Sequence, residues 1–165
     1  MAGTVDLRAT GTIQRDITFS PTTGGIIGTP TNDNASTGVV GEWIQATAVG
    51  TNFPASAAYG DLANISLTAG DWDVTIVFSP YFTTGVTFTQ VRYGISTTTG
   101  NSGAGLNEGD NMGINTPSTS TDNNYCIPSY RMQLTTTTIV YFKFLGVYTS
   151  TAPQASGRIS ARRMR

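Results

Sequence analysis

The sequence predicts an all-β chain, a jelly-roll β-sandwich with an extended N-terminal arm, and three observations lead there. Apolar residues recur at every second position in several windows and at helical spacing in none. Turn formers separate these windows, with 19 glycines, 7 prolines and 29 threonines among 165 residues. Charged residues make up only 12%, about half the usual quarter and too few to lace exposed helices.

Each element follows from its own pattern. Val5-Leu7-Ala9 and Ile13-Arg15-Ile17-Phe19 are two short alternating runs. Residues 20–41 read SPTTGGIIGTPTNDNASTGVVG, with too little apolar surface to fold alone. Residues 1–41 are therefore expected to be an extended arm and 42–165 the sandwich. Residues 42–49, led by Trp43, form the first expected strand of the body. Ala63-Ile65-Leu67 is the second, and Thr68-Ala69-Gly70 turns it into residues 71–78. There Trp72, Val74, Ile76 and Phe78 share one face, the period-two signature of a half-buried strand. Residues 86–95 alternate too, but the apolar frame slips between Phe88 and Val91, as a β-bulge makes it do.

Tyr130-Met132-Leu134 and residues 138–148 are expected to pair across Thr135-Thr136-Thr137, and residues 157–163 close the body. The 138–148 run is apolar on both faces. Val140, Phe142 and Phe144 lie on one side, and Ile139, Tyr141, Leu145 and Val147 flank Lys143 on the other. A strand apolar on both faces is covered twice. The second cover is either a loop of the same chain or a neighbouring copy, and the second alternative makes Tyr141, Lys143 and Leu145 interface residues.

Composition also excludes. The chain has no histidine, which removes the commonest general base and metal ligand. No nucleophile and base pair, no cofactor loop and no metal-ligand spacing is present, so the expectation is a non-enzyme without cofactor or metal. Cys126 is the only cysteine and cannot form an internal disulfide. A net charge of −1 supplies no field for nucleic acid or anionic membrane. The start Met1-Ala2-Gly3-Thr4 lacks a signal-peptide pattern. Asn34-Ala35-Ser36 and Asn64-Ile65-Ser66 match the glycosylation acceptor pattern, which without secretion means little. Asp71 and Asp73 share one strand face and read as solvating charges that discourage edge pairing.

Four segments resemble a phage virion domain family. They are Ile65-Ser66-Leu67-Thr68-Ala69-Gly70-Asp71-Trp72-Asp73-Val74, the Tyr130-to-Leu134 and Val140-Tyr141-Phe142 pair, the ending from Gly157 to Arg165, and Glu42-Trp43-Ile44. That family is a jelly roll similar to tumour-necrosis-factor-like and complement-type heads, usually trimeric. It occurs on capsid decoration proteins, head fibres and tail-fibre tips. The resemblance covers roughly residues 41–165. It implies a homotrimer on the capsid exterior of a virion, made in the host cytoplasm, with the major capsid protein as partner. A short arm before a compact head resembles a decoration protein more than a fibre. The alternative is a fibre head that binds a host-surface glycan or receptor.

Candidate residues follow from these expectations. Val5, Leu7, Ile13, Ile17 and Phe19 are assigned to capsid anchoring, and Tyr141, Lys143, Leu145, Arg162 and Arg163 to the subunit interface. The loop of residues 97–128 carries Asn107, Glu108, Asp110 and Asn111. It is either an exposed recognition or capsid-lattice-contacting surface or an ordered surface insertion without a partner.

Overall fold

The structure is a computed structural model, and it describes residues 34–81, 86–103, 106, 111–114 (backbone only), 124–149 and 151–165. Nine strands run in chain order: β1 (Trp43–Asn52), β2 (Tyr59–Leu67), β3 (Gly70–Tyr81), β4 (Thr87–Ser96), β5 (Asn111–Ile114), β6 (Tyr125–Cys126), β7 (Tyr130–Leu134), β8 (Thr138–Thr149) and β9 (Gln154–Arg163). All pairings are antiparallel. One sheet has the order β1-β9-β3, with β6 and β7 sharing the far side of β3. The other has the order β2-β8-β4-β5. First beside last and second beside second-to-last is the nested Greek-key order of a jelly roll.

This topology corrects two expected hairpins. β2 and β3 lie in different sheets, and so do β7 and β8. Both turns were placed rightly, but each leads across the sandwich instead of back along a partner. The reason is burial. Leu67 and Trp72 on either side of the first turn are both 0% exposed, and a corner sends both into the core between the sheets. In a flat hairpin one sheet would carry both strands and leave the facing layer unfilled.

The expected faces are confirmed. Trp72, Val74, Ile76 and Phe78 of β3 are buried against Val140, Phe142 and Phe144 of β8. Each such side chain contributes about 1.5–3 kcal/mol by leaving water. The centre is aromatic, with Phe78 and Phe142 rings 5.6 Å apart and edge-on, and Phe53 and Phe144 4.8 Å apart. A β-carbon at Gly157 would stand 2.6 Å from the Phe142 ring, so β9 approaches the core only because that position is bare. The bulge in β4 is also present, as a register shift between Phe88 and Gln90 against β8.

Strands β5 and β6 had no counterpart in the pattern, because they sit inside the long loop and are 4 and 2 residues long.

Candidate functional site

Two polar clusters and one strand edge concentrate the chemistry of the described residues. The first cluster lies at the pole where β1 begins and β9 ends. Arg163 is 4% exposed and donates through Nε to Glu42 Oε2 at 2.9 Å, with Glu42 also 4% exposed. The remaining guanidinium nitrogens reach the Ala69 carbonyl at 2.9 Å and the Thr68 hydroxyl. Its carbon lies 4.3 Å from the Trp72 ring centre, a cation–π contact. Gly70, at φ +146, leaves the space that the guanidinium occupies.

Beside it, Asp71 is buried rather than solvating. Arg131 grips it with Nη2 at 2.6 Å and Arg165 with Nε at 2.9 Å. The hydrogen bonds from Arg131 hold the Asp71 carboxyl below its ordinary value against partial desolvation, and Arg165 adds to the effect. Asp73 accepts from the Ser129 hydroxyl. The backbone closes the same pole, with Gly41 N donating to Arg163 O, Arg163 N to Glu42 O, and Asp71 N to Arg165 O. An open groove of about 270 Å³ runs past Asp71, Gln133, Leu134 and Arg165. Its side-chain carboxylate, Asp71, is already held by two arginines.

The second cluster fastens the loop after β4 to the outer face of the second sheet. Lys143 is 0% exposed. Its Nζ donates to Asp61 Oδ1 at 2.5 Å and to the Gly100 carbonyl at 2.5 Å. Asp61 also accepts from the Thr99 hydroxyl at 2.7 Å and the Gly100 amide at 2.9 Å. Burial pushes the Asp61 carboxyl up, but the Gly100 amide, Lys143 and Thr99 together outweigh it and hold the group below its ordinary value.

The expected site residues fall as follows. Val5, Leu7, Ile13, Ile17 and Phe19 lie outside the described residues, as do Asn107, Glu108 and Asp110. Asn111 opens β5, and its side chain is likewise outside them. Lys143 and Leu145 are buried within the chain, Lys143 under its own loop, and Tyr141 is half-buried. Arg163 is internal, whereas Arg162 is exposed. Glu42 and Asp61 were not singled out from sequence, since their partners stand 121 and 82 residues away. Lys143 is the single lysine of the sequence, and that was the one available signal.

Cys126 is exposed on β6. Among the described residues no group of three or more His, Cys, Asp or Glu side chains could hold a metal ion. Glu42, Asp61 and Asp71 are each neutralised by a cation, so they act as structural clasps.

No protein-family model and no curated protein matches the chain. Among solved structures, the chain is similar to one in the structure of infectious bursal disease virus, Gx strain. The identity is 11% and the TM-score 0.43, over 85% of this chain. The chain spans 38% of the length of that protein.

An acid limb of stability follows from the two depressed carboxylates. Both have folded-state pKa values below the ordinary 3.8, so the unfolded chain takes up protons first on acidification. Their contribution is fully present above the ordinary value and is lost as pH falls through the lower folded values. Urea midpoints are expected to be flat with respect to these groups above about pH 5 and to drop below about pH 4. In Asp61→Asn the drop should be shallower than in the wild type. An equally steep drop in both proteins would remove Asp61 from this account.

Proposed function

We propose that the chain is a structural protein of a phage virion that decorates the outer face of the capsid. In this reading residues 1–41 anchor on the major capsid protein, and residues 42–165 form the displayed head of a homotrimer on the capsid exterior. The observation that carries it is the polarity of the head. Asn34, the start of β1 and the end of β9 meet at one pole, where Asn34 is bonded to Trp43 and Gly41 to Arg163. The described chain begins at that pole with Asn34, while it leaves β1, β3, β5 and β8 at the opposite one. Attachment at one end and display at the other suits a shell-bound head. The polar clusters support the same reading, since they knit the described part of the head together through paired charges. Tyr141 and Arg162 retain exposure for contact with neighbouring copies.

The test is co-sedimentation of the full-length chain with undecorated capsids of its own virus. Wild-type protein should bind, and Ile13→Asp/Ile17→Asp should lose at least about tenfold in affinity, about 1.4 kcal/mol or more. Unchanged capsid binding in the variant would overturn the anchoring role. Binding to host cells with no binding to capsids would favour the fibre-head alternative. Sedimentation equilibrium reads the trimer directly from the mass.

A further inference from the structure

The outer edge of β1 is built for strand addition, and the inference from it goes beyond the proposed function. β1 is an edge strand of 10 residues, WIQATAVGTN, with no charge and no proline. Edge strands normally carry such residues to prevent pairing with other chains.

Trp43 N donates to Asn34 Oδ1 at 2.7 Å, and Trp43 O accepts from Asn34 Nδ2 at 2.7 Å. The backbone groups of Trp43 therefore point away from β9. Antiparallel alternation then turns Ile44, Ala46 and Ala48 toward β9 and Gln45 and Thr47 toward the open edge. No ladder reaches Gln45 or Thr47 from that side among the described residues. The open window is closed at one end by Asn34 and at the other by the register shift between Ala48 and Thr51, where Gly50 has φ +63. Its centre is Ala46.

We infer that β1 pairs antiparallel with β1 of a second copy about a two-fold axis through Ala46. That register sets Gln45 of each chain opposite Thr47 of the other. Each of these residues offers one N–H and one C=O, so the two reciprocal pairs form four hydrogen bonds. The strand is complementary to itself because it is uncharged, so no like charges meet across the axis. The same register brings Trp43 of one copy alongside Val49 of the other, side chains that are 42% and 86% exposed in the single chain. An aromatic beside a β-branched residue is a favourable cross-strand pair. Eight large apolar side chains are exposed among the described residues, and Val39, Val40, Trp43 and Val49 all lie on β1 or the turn leading into it. Trp43 and Val49 stand on the edge strand itself. The contact is small and transient by area.

The test uses the full-length chain at rising concentration. Sedimentation equilibrium should give a wild-type average mass approaching twice that of Thr47→Pro. Proline at 47 deletes an edge-facing N–H and no bond to β9, so its circular dichroism and melting should match the wild type. Amide exchange in the wild-type protein gives a second reading that does not depend on the variant folding. The Gln45 and Thr47 amides should be protected in concentrated solution and exposed on dilution, while the Trp43 amide stays independent of concentration. Equal masses for wild type and a folded Thr47→Pro would overturn the pairing. So would Gln45 and Thr47 amides that exchange at the same rate, fast or slow, at every concentration.

Discussion

Replacing Arg163 with alanine is expected to lower the unfolding free energy by about 3–5 kcal/mol, the usual consequence of breaking a buried ion pair from one side. The loss has several parts. Glu42 keeps the Gly38 amide at 2.8 Å but has no cation left in its 4%-exposed site. The Thr68 hydroxyl and Ala69 carbonyl lose their donors, and Trp72 loses the guanidinium over its ring. The pair itself is worth far less than its breakage costs, because both charges were desolvated to form it. Glu42→Leu/Arg163→Met should therefore recover most of the lost stability. Urea denaturation at neutral pH measures all three proteins. A loss below about 1 kcal/mol in Arg163→Ala, the range of an exposed pair, would show that water reaches Glu42.

Asp61→Ala should cost about 2–3 kcal/mol, somewhat less than breaking a fully buried pair. The two partners differ in exposure. Lys143 has 0% side-chain exposure and Asp61 22%, so solvent already shares part of the carboxylate. With Asp61 gone, the ammonium keeps the Gly100 carbonyl as its remaining acceptor. The same substitution releases the loop, because Thr99 and Gly100 both donate to that carboxylate. Faster exchange of the Gly100 amide should accompany the lower midpoint. Asp61→Ala/Lys143→Met should be more stable than Asp61→Ala alone, since the orphaned charge is removed with its stem volume retained. A double variant no more stable than the single one would mean that the loss comes from loop packing and not from the buried charge.

Much of this architecture was legible in the residues. The face of β3 from Trp72 to Phe78, the β8 face from Val140 to Phe144 and the slip in β4 all follow from side chains alternating across a pleat. That rule needs no knowledge of the partner strand. The turns at 68–70 and 135–137 were legible for the same local reason, whereas their partners were not. A hairpin and a corner begin with the same residues, and only the whole core decides between them. The candidate site was less legible. Lys143 stood out because it is the single lysine, but Asp61 and Gly100 meet it only through the β2–β8 register and the returning loop. Asn34 matched an acceptor pattern in sequence, and in the structure its side chain brackets the backbone of Trp43.

The sequence by itself thus determined an all-β body, the buried face of its main strands and the absence of histidine chemistry. These depend on residue type and on neighbours one or two positions away. The tertiary structure decided which strands share a sheet, that Arg163 turns inward while Lys143 is buried under a loop, and that among the described residues one uncharged edge stays open. Those outcomes depend on side chains far apart in the chain competing for one core. Charges taken out of water, in the core or under a loop, must find a partner wherever the fold brings one, because desolvation costs more than a single turn or strand can return.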